Sequence, residues 1–248
     1  MRVRAGLITA IYLWGLLFCF SVFGAEPEAI LRQVDQARYF GTLYFEGEMQ
    51  VQRRFKRTKQ FKIWQEGDQK SFIEFVNKSD AGTKFLKLED QLWLYYPQVD
   101  DVIKIGGYML RDGFMGSDFS YDDVMDEAAL LSDYTVQVHP SEKSVSENVT
   151  CLLLTARRDG VGYPTREIWV DTTRYVILKM NLFAQSGVLL KEMTFSGYFK
   201  VDRFWFPKRM RMRSVLRKNS QTDFYISNVK LSPLLSKDRF SKKAFYVD

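Results

Sequence analysis

The sequence predicts a mainly β fold: a strongly curved antiparallel sheet, or partial barrel, with a few helices against its concave side. Three observations predict it. From residue 41 onward, apolar and polar residues tend to alternate with period two, and aromatic and β-branched residues are frequent. Short turns separate these runs, so neighbouring strands must be antiparallel. Helical patterns are scarce, and a long sheet with one polar face must cover its other face or close on itself.

The first residues are typical of a secretory signal peptide. Two arginines form a basic start, an apolar run extends from Leu7 to Phe23, and small residues follow. We therefore expect a signal peptide over residues 1–24 and a single domain over residues 25–248, located in the periplasm. The apolar run is long enough that a retained membrane anchor stays open as the alternative.

The periodicity then predicts each element in order. Glu28–Arg38 places four apolar residues on one face of a short amphipathic helix. Further helical material is expected at Gly107–Met115 and Tyr121–Leu131. The predicted strands are Thr42–Arg54, Gln60–Gln65, Ser71–Asn77, Lys84–Glu89, Gln91–Tyr96, Val102–Ile105, Thr135–His139, Thr150–Arg157, Arg166–Asp171, Val176–Ala184, Val188–Val201, Phe204–Val215 and Thr222–Leu231.

Several strands have one apolar and one polar face. In Lys208–Ser214, Met210 and Met212 alternate with three arginines. In Arg166–Asp171, Ile168 and Val170 lie on the face opposite Glu167 and Asp171. We expect the methionines to face the concave side of the sheet and the arginines to face solvent.

A cluster of acids interrupts the strands. The acidic segment (residues 113–131) places five acidic residues within ten positions. Ser120 followed by Asp123 resembles a capping box, which predicts a helix start, with Asp126 and Glu127 on the solvated side of that helix. The ligand spacing of a calcium loop is absent, so we expect no metal site here.

The sequence offers no arrangement of residues suited to catalysis. His139 is the only histidine, and its position before a proline predicts an exposed turn residue. Cys151 lies in an apolar strand, where a buried inert thiol is expected. No nucleophile elbow, phosphate loop, dinucleotide fingerprint or zinc site can be assembled. We therefore expect a protein that is not an enzyme and has no catalytic residue, metal or cofactor. A lipid hydrolase using His139 is the third hypothesis.

Two basic segments, Arg53–Lys59 and Lys208–Arg213, could attract nucleic acid, anionic lipid headgroups or an acidic partner. A secreted protein rarely meets nucleic acid, so we expect no nucleic-acid partner. A solvated sheet face is the simplest interpretation, and weak attraction to a membrane or partner is the alternative.

Apolar residues are abundant: 15% of the chain is aromatic and nine residues are methionine. Methionine adapts to ligands of variable shape, and a curved sheet with few covering helices can leave an apolar concavity. A register slip of one residue would exchange the two faces of every strand. The candidate cavity residues are Phe75, Leu86, Leu94, Ile168, Val170, Met180, Met193, Phe195, Met210 and Met212.

Three stretches carry a resemblance to a known family: QLWLYYPQVDDVIKI (Gln91–Ile105), FMGSDFSYDDV (Phe114–Val124) and REIWVDTTRYVILKM (Arg166–Met180). From about Ala29 to the C-terminus, the chain resembles the outer membrane lipoprotein-sorting (LolA-like) family. The resemblance implies an unclosed antiparallel β-barrel with a helical lid over an apolar cavity. It also implies carriage of lipoprotein acyl chains, or another lipid, across the periplasm toward the outer membrane.

The resemblance transfers no site residue. Carriers of this family keep an arginine in a Lys-Arg-Pro context, and the comparable stretch here, Glu66–Phe75, lacks that motif. A more general lipid carrier therefore stays open. The implied partners are an inner-membrane ABC transporter and an outer-membrane acceptor. The second hypothesis is a non-enzymatic accessory subunit of an inner-membrane export system, with a vestigial cavity.

Overall fold

The computed structural model describes residues 26–126, 129–139 and 147–246. The predicted signal peptide and Glu127 lie outside the described residues. Within these ranges, no helix is both long enough and apolar enough to cross a bilayer.

The chain forms an open antiparallel sheet with few helices. Helix α1 spans Pro27–Arg38, α2 spans Tyr121–Met125 and α3 spans Leu130–Asp133. Short 3-10 helices cover Gly107–Arg111, Phe114–Gly116 and Lys242–Phe245. The strands are β1 Thr42–Gln52, β2 Lys56–Glu66, β3 Lys70–Phe75, β4 Lys84–Leu88, β5 Gln91–Tyr96, β6 Asp101–Ile105, β7 Tyr134–Val138, β8 Val149–Ala156, β9 Thr165–Asp171, β10 Val176–Phe183, β11 Leu189–Ser196, β12 Phe199–Val201, β13 Phe204–Phe206, β14 Arg209–Ser214 and β15 Gln221–Leu231.

Thirteen strands form one sheet in the order β6-β5-β4-β3-β2-β1-β15-β14-β11-β10-β9-β8-β7. Most neighbours in the sheet are also neighbours in sequence, as short turns require. The last strand, β15, lies in the centre between β1 and β14 and joins the two halves of the sheet. The outer strands β6 and β7 do not pair among the described residues, so the sheet is not closed into a barrel. The predicted fold class is confirmed.

Two long predicted strands, Val188–Val201 and Phe204–Val215, are each broken in the structure. Gly197 has a φ of +67°, a conformation that favours glycine, and Pro207 has no N–H to donate to a ladder. The tip of the hairpin therefore leaves the sheet and pairs by itself as β12–β13.

The acidic segment starts as predicted and ends differently. Ser120 and Asp123 form a reciprocal capping box at the start of α2. The helix predicted to continue to Leu131 is wrong, because α2 ends at Met125. A separate helix, α3, begins where the Asp35 carboxylate accepts hydrogen bonds from the N–H groups of Leu130 (2.9 Å) and Leu131 (3.0 Å). An acid on α1 thus sets the start of α3.

Apolar side chains form three clusters. One lies under α1 and α3, against β8–β10, and a second lies between β1–β5 and the first part of the acidic segment. The third lies on the opposite face of the sheet, where Phe245 of the C-terminal 3-10 helix covers Phe72 and Leu86. Alternation along β4 explains the division, because Phe85 belongs to the second cluster and Leu86 to the third.

Candidate functional site

A cavity of about 350 Å³ lies between the concave face of the sheet and α1. Its size is at the lower end of the roughly 300–1,000 Å³ typical of small-ligand sites. Most of its surface is apolar. The apolar lining includes Val34 and Ala37 of α1, Leu43 and Phe45 of β1, Met180 and Leu182 of β10, Met193 and Phe195 of β11, Phe206 of β13, Met210 of β14 and Ile226 of β15.

The β12–β13 hairpin covers one end of the cavity. Phe40 stacks on Phe206 with a centroid distance of 4.8 Å and meets Phe204 edge-on at 5.1 Å. The exposed Arg38 and the half-buried Trp205 also line this end. The cavity therefore approaches the surface between the end of α1 and the hairpin.

A second cavity of about 170 Å³ lies under the acidic segment. Five residues line both cavities, so these side chains form the partition between them: Phe45, Gln65, Phe119, Asp123 and Met210. Methionine has three freely rotating side-chain bonds, and Phe119 is only partly buried. Movement of these two side chains would join the two spaces.

The predicted cavity residues are divided among several places. Met180, Met193, Phe195 and Met210 line the larger cavity. The other six do not: Ile168 and Val170 lie in the cluster under α1, Phe75 and Leu94 in the second cluster, Leu86 on the opposite face, and Met212 is fully buried in the sheet. A role in ligand binding stays a prediction for all ten.

The alternation predicted for β14 is present. Met210 lines the cavity, whereas the neighbouring arginines lie on the other face. Arg209 and Arg211 donate from Nε to Asp223 at 3.0 and 2.8 Å, and Arg213 pairs with Glu192. The arginines are thus partly exposed and ion-paired, which neutralises much of this basic stretch.

The acids of the acidic segment do more than cap a helix, since three of them each bind a different strand. Asp118 is buried and accepts hydrogen bonds from Ser220 and Thr222 beside β15. Asp123 pairs with Lys191 of β11, and Asp126 pairs with Arg166 of β9. The segment is therefore tied across the concave face at three points.

Two ion pairs form an ionic cluster at the cavity, consisting of Asp123, Lys191, Asp126, Arg166 and Tyr163. The Tyr163 hydroxyl donates to Asp123 at 2.6 Å, and Lys191 also donates to Ser120 at 3.2 Å. Both acids and Arg166 line the cavity. The prediction that Asp126 lies on a solvated helix face is wrong, because the chain leaves the helix there and turns the carboxylate toward Arg166.

Arg166 is 4% exposed, and its guanidinium lies 4.6 Å from the centre of the Tyr134 ring. Burial lowers its pKa and the Asp126 carboxylate raises it, with a net rise, so the side chain is charged. One of its nitrogens donates to Asp126, whereas Nε meets no hydrogen-bond acceptor among the described residues. The guanidinium thus lies between the Asp126 carboxylate, the Tyr134 ring and the apolar lining of the cavity.

The same environment shifts two neighbouring pKa values upward. Burial, followed by the negative charge of Asp123, raises the pKa of Tyr163. Burial, followed by repulsion from Asp123 and Asp126, raises the pKa of Asp122. Tyr163 is therefore a hydrogen-bond donor at all ordinary pH values.

The ionic cluster was not predicted from the sequence, although two cations stand on the apolar faces of predicted strands. Arg166 shares its strand face with Ile168 and Val170, and Lys191 shares its face with Met193 and Phe195. A cation at a position whose neighbours point to the core needs a buried partner. The nearby surplus of acids provides those partners.

His139 is not the exposed turn residue that was predicted. Its side chain is 14% exposed, and Nε2 lies 3.1 Å from Oε1 of Glu167 on β9, two strands away across β8. Cys151 is buried, as predicted. Over the residues that the structure covers, no three His, Cys, Asp or Glu side chains are grouped as metal ligands would be.

Comparisons with known proteins identify the family and the fold. A family model described as "Uncharacterized protein" matches residues 67–246. No curated protein matches the sequence significantly.

Three solved structures are similar over nearly their whole length. A DUF1329 family protein from Desulfovibrio piger has 24% identity and a TM-score of 0.79, covering 87% of this chain and 96% of its own. A putative outer membrane lipoprotein-sorting protein domain from Vibrio parahaemolyticus has 24% identity and a TM-score of 0.75, covering 89% and 97%. A LolA superfamily protein from Nitrosomonas europaea has 20% identity and a TM-score of 0.74, covering 88% and 99%.

The family match spans most of the chain, and each of the three structures covers 87–89% of it. The chain therefore belongs to the family that this model describes, and it has the LolA-like fold of the lipoprotein-sorting proteins.

Proposed function

We propose that the protein is a periplasmic carrier, not an enzyme, that shelters acyl chains of lipoproteins or of another lipid and moves them toward the outer membrane. The observation that carries the proposal is the apolar cavity of about 350 Å³ on the concave face. The LolA-like fold and the apolar N-terminal segment support this assignment. An inner-membrane transporter would be the donor and an outer-membrane protein the acceptor.

The cavity suits a flexible apolar ligand. Each buried methylene contributes about 0.8 kcal/mol, so even a short stretch of acyl chain adds substantial binding energy. Met180, Met193 and Met210 can adjust to chains that differ in length or branching. Release would require the elements over the cavity, α1 and the acidic segment, to move away from the sheet.

We infer that the polar end of the ligand is neutral. Arg166 and Lys191 are already paired with Asp126 and Asp123, so a ligand carboxylate would add a negative charge beside two acids. A neutral ester or amide carbonyl could instead accept a hydrogen bond from the Arg166 guanidinium, which lines the cavity. Long-chain methyl esters should therefore displace a bound acyl probe more effectively than free acids of the same length.

The test of the proposal is titration with a fluorescent acyl probe. Met210→Gln and Arg211→Gln place the same side chain at neighbouring positions on opposite faces of β14. Met210→Gln should weaken probe binding about ten-fold, because a polar amide replaces an apolar contact with the acyl chain and loses hydration when the chain enters the cavity. Arg211→Gln should change it less than about two-fold, since this side chain lies outside the cavity.

Melting temperatures check that both variants fold. Equal effects of the two substitutions would contradict ligand binding in this cavity. A wild-type protein that binds no acyl probe would instead favour the accessory role in an export system. Release of free fatty acid from the ligand during the titration would favour the hydrolase hypothesis.

A further inference from the structure

Three hairpin tips lie side by side at one end of the sheet: residues 53–57, which form the turn after β1 and the first two residues of β2, residues 184–188 between β10 and β11, and residues 215–220 between β14 and β15. Gln52 pairs with both Lys56 and Gln221, which places the first and third tips together. The Val215 N–H donates to the Leu190 carbonyl at 2.9 Å, which places the third tip beside the second. We call these residues the basic tip surface.

The basic tip surface carries positive charge only. It contains six cations and no acid: Arg53, Arg54, Lys56, Arg57, Arg217 and Lys218. Acids near its base already have partners. Glu192 pairs with Arg213, Asp80 pairs with Lys59, and Asp118 is buried among hydroxyl groups. All six residues are exposed and none has a matching acid at the tips; Arg53 also donates to the Ser117 carbonyl at 3.1 Å.

Apolar side chains protrude between these cations. Phe55 is 69% exposed and Leu216 is 68% exposed, and the smaller Val188 and Val215 are also exposed. The Arg54 guanidinium lies 5.7 Å from the centre of the Phe55 ring. Each tip thus presents at least one apolar side chain at the end of a turn, where packing within the protein cannot cover it.

We propose that the basic tip surface docks the protein on an anionic lipid bilayer. Basic side chains are attracted to lipid phosphates, and isolated apolar side chains at loop ends can enter the headgroup region. A protein partner would instead favour a continuous complementary patch, whereas these apolar residues are on three separate tips. The surface needs no ligand in the cavity, so this proposal goes beyond the carrier function.

With the basic tip surface on the bilayer, the two ends of the cavity would lie at different distances from the membrane. Arg166 is the second residue of β9 and pairs with Leu182, one residue before the end of β10. The ionic cluster is therefore at the end of the cavity nearer the basic tip surface. The β12–β13 hairpin and the C-terminal end of α1 are at the other end.

Vesicle sedimentation tests the docking. The purified protein, with its N-terminus determined by mass spectrometry, is mixed with vesicles of phosphatidylcholine alone or with about one third phosphatidylglycerol. Arg217→Glu with Lys218→Glu should reduce binding to the anionic vesicles more than about ten-fold, and Phe55→Ser about five- to ten-fold. Raising the salt from 0.05 to about 0.5 M should also release the protein.

Matched controls lie at the opposite end of the sheet. Arg203→Glu reverses a charge at the β12–β13 tip, and Leu234→Ser removes a fully exposed leucine. Both should leave vesicle binding within about two-fold of wild type. Equal binding to neutral vesicles, equal loss in the controls, or no binding to anionic vesicles would overturn the proposal. The last result would leave an acidic protein surface as the partner of these tips.

Discussion

The two halves of the concave face differ, although one sheet forms both. In the half built from β2–β5, Phe75 contacts Phe61 and Phe85, and both Phe75 and Phe85 contact Phe114 of the acidic segment, at centroid distances of 5.0–6.0 Å. In the half built from β10, β11 and β14, methionines face α1 across the larger cavity. Aromatic rings fill most of the first half and leave a space of about 170 Å³ there, whereas the half with the methionines contains the larger cavity of about 350 Å³.

The difference shows that alternation and cavity formation are separate properties of a strand. Period-two patterns identify which residues share a face. The residues above that face decide whether it is packed: Phe114 covers the first half, whereas Ala37 and Val34 of α1 face the second. The first half should therefore provide stability, and the second should provide binding.

The largest expected effect is a loss of stability in the packed half. Phe85→Ala should lower the free energy of unfolding by about 3–5 kcal/mol, because the ring is fully buried among other rings. Met193→Ala should cost less than about 2 kcal/mol, since Met193 is only partly buried and borders an existing space. Chemical denaturation measures both. Equal losses would remove the distinction between the two halves.

Removing one partner of the ion pair at the cavity should have the next largest effect. Asp126→Ala leaves the buried charge of Arg166 without a partner and should cost about 2–3 kcal/mol, below the usual range because the Asp126 side chain is 30% exposed. Adding Arg166→Met should recover most of that loss, because the double variant buries no charge. A double variant as unstable as the single one would show that the pair is not the source of the effect.

Capping of α2 should contribute less. Ser120→Ala removes the hydroxyl that accepts from the Asp123 N–H at 3.2 Å and should cost ~1 kcal/mol. Calcium and zinc should leave the melting temperature of the wild type unchanged. A metal-dependent rise that disappears in an Asp122→Asn, Asp123→Asn variant would contradict the capping account.

The smallest expected effect concerns pH. The folded-state pKa of Asp122 is raised by burial and by its acidic neighbours, so its ionised form destabilises the fold. The wild type keeps the full benefit of the protonated form below the unfolded pKa of about 3.9 and loses it as the pH rises through the folded value. Asp122→Asn should therefore raise the melting temperature at pH 7, with a gain that shrinks toward pH 4. A constant difference across this range would refute the assignment.

Much of the fold could be predicted from local pattern. Alternation and turns give the strands, and Ser120 with Asp123 gives the start of α2, because these signals act between residues close in sequence. The end of α2 could not be predicted in this way. It depends on Arg166, a residue 40 positions from Asp126 along the chain.

The candidate site was predicted less completely for the same reason. Met180, Met193 and Met210 face the larger cavity, as the alternation of side chains along their strands suggests. Alternation alone could not exclude Phe75 or Ile168, since both face the same side of the sheet: Phe75 packs in the cluster with Phe114, and Ile168 packs in the cluster under α1. Arg166 and Lys191 were missed because cations on the apolar face of a strand were assigned no partner.

Native mass spectrometry of the protein isolated from its own cells, followed by lipid extraction, tests the central claim most directly. The wild type should carry an acylated species, and Met193→Trp, which places a larger side chain in the cavity, should carry little or none while melting within a few degrees of wild type. An empty wild-type protein, or the same lipid on both proteins, would contradict binding of acyl chains in this cavity.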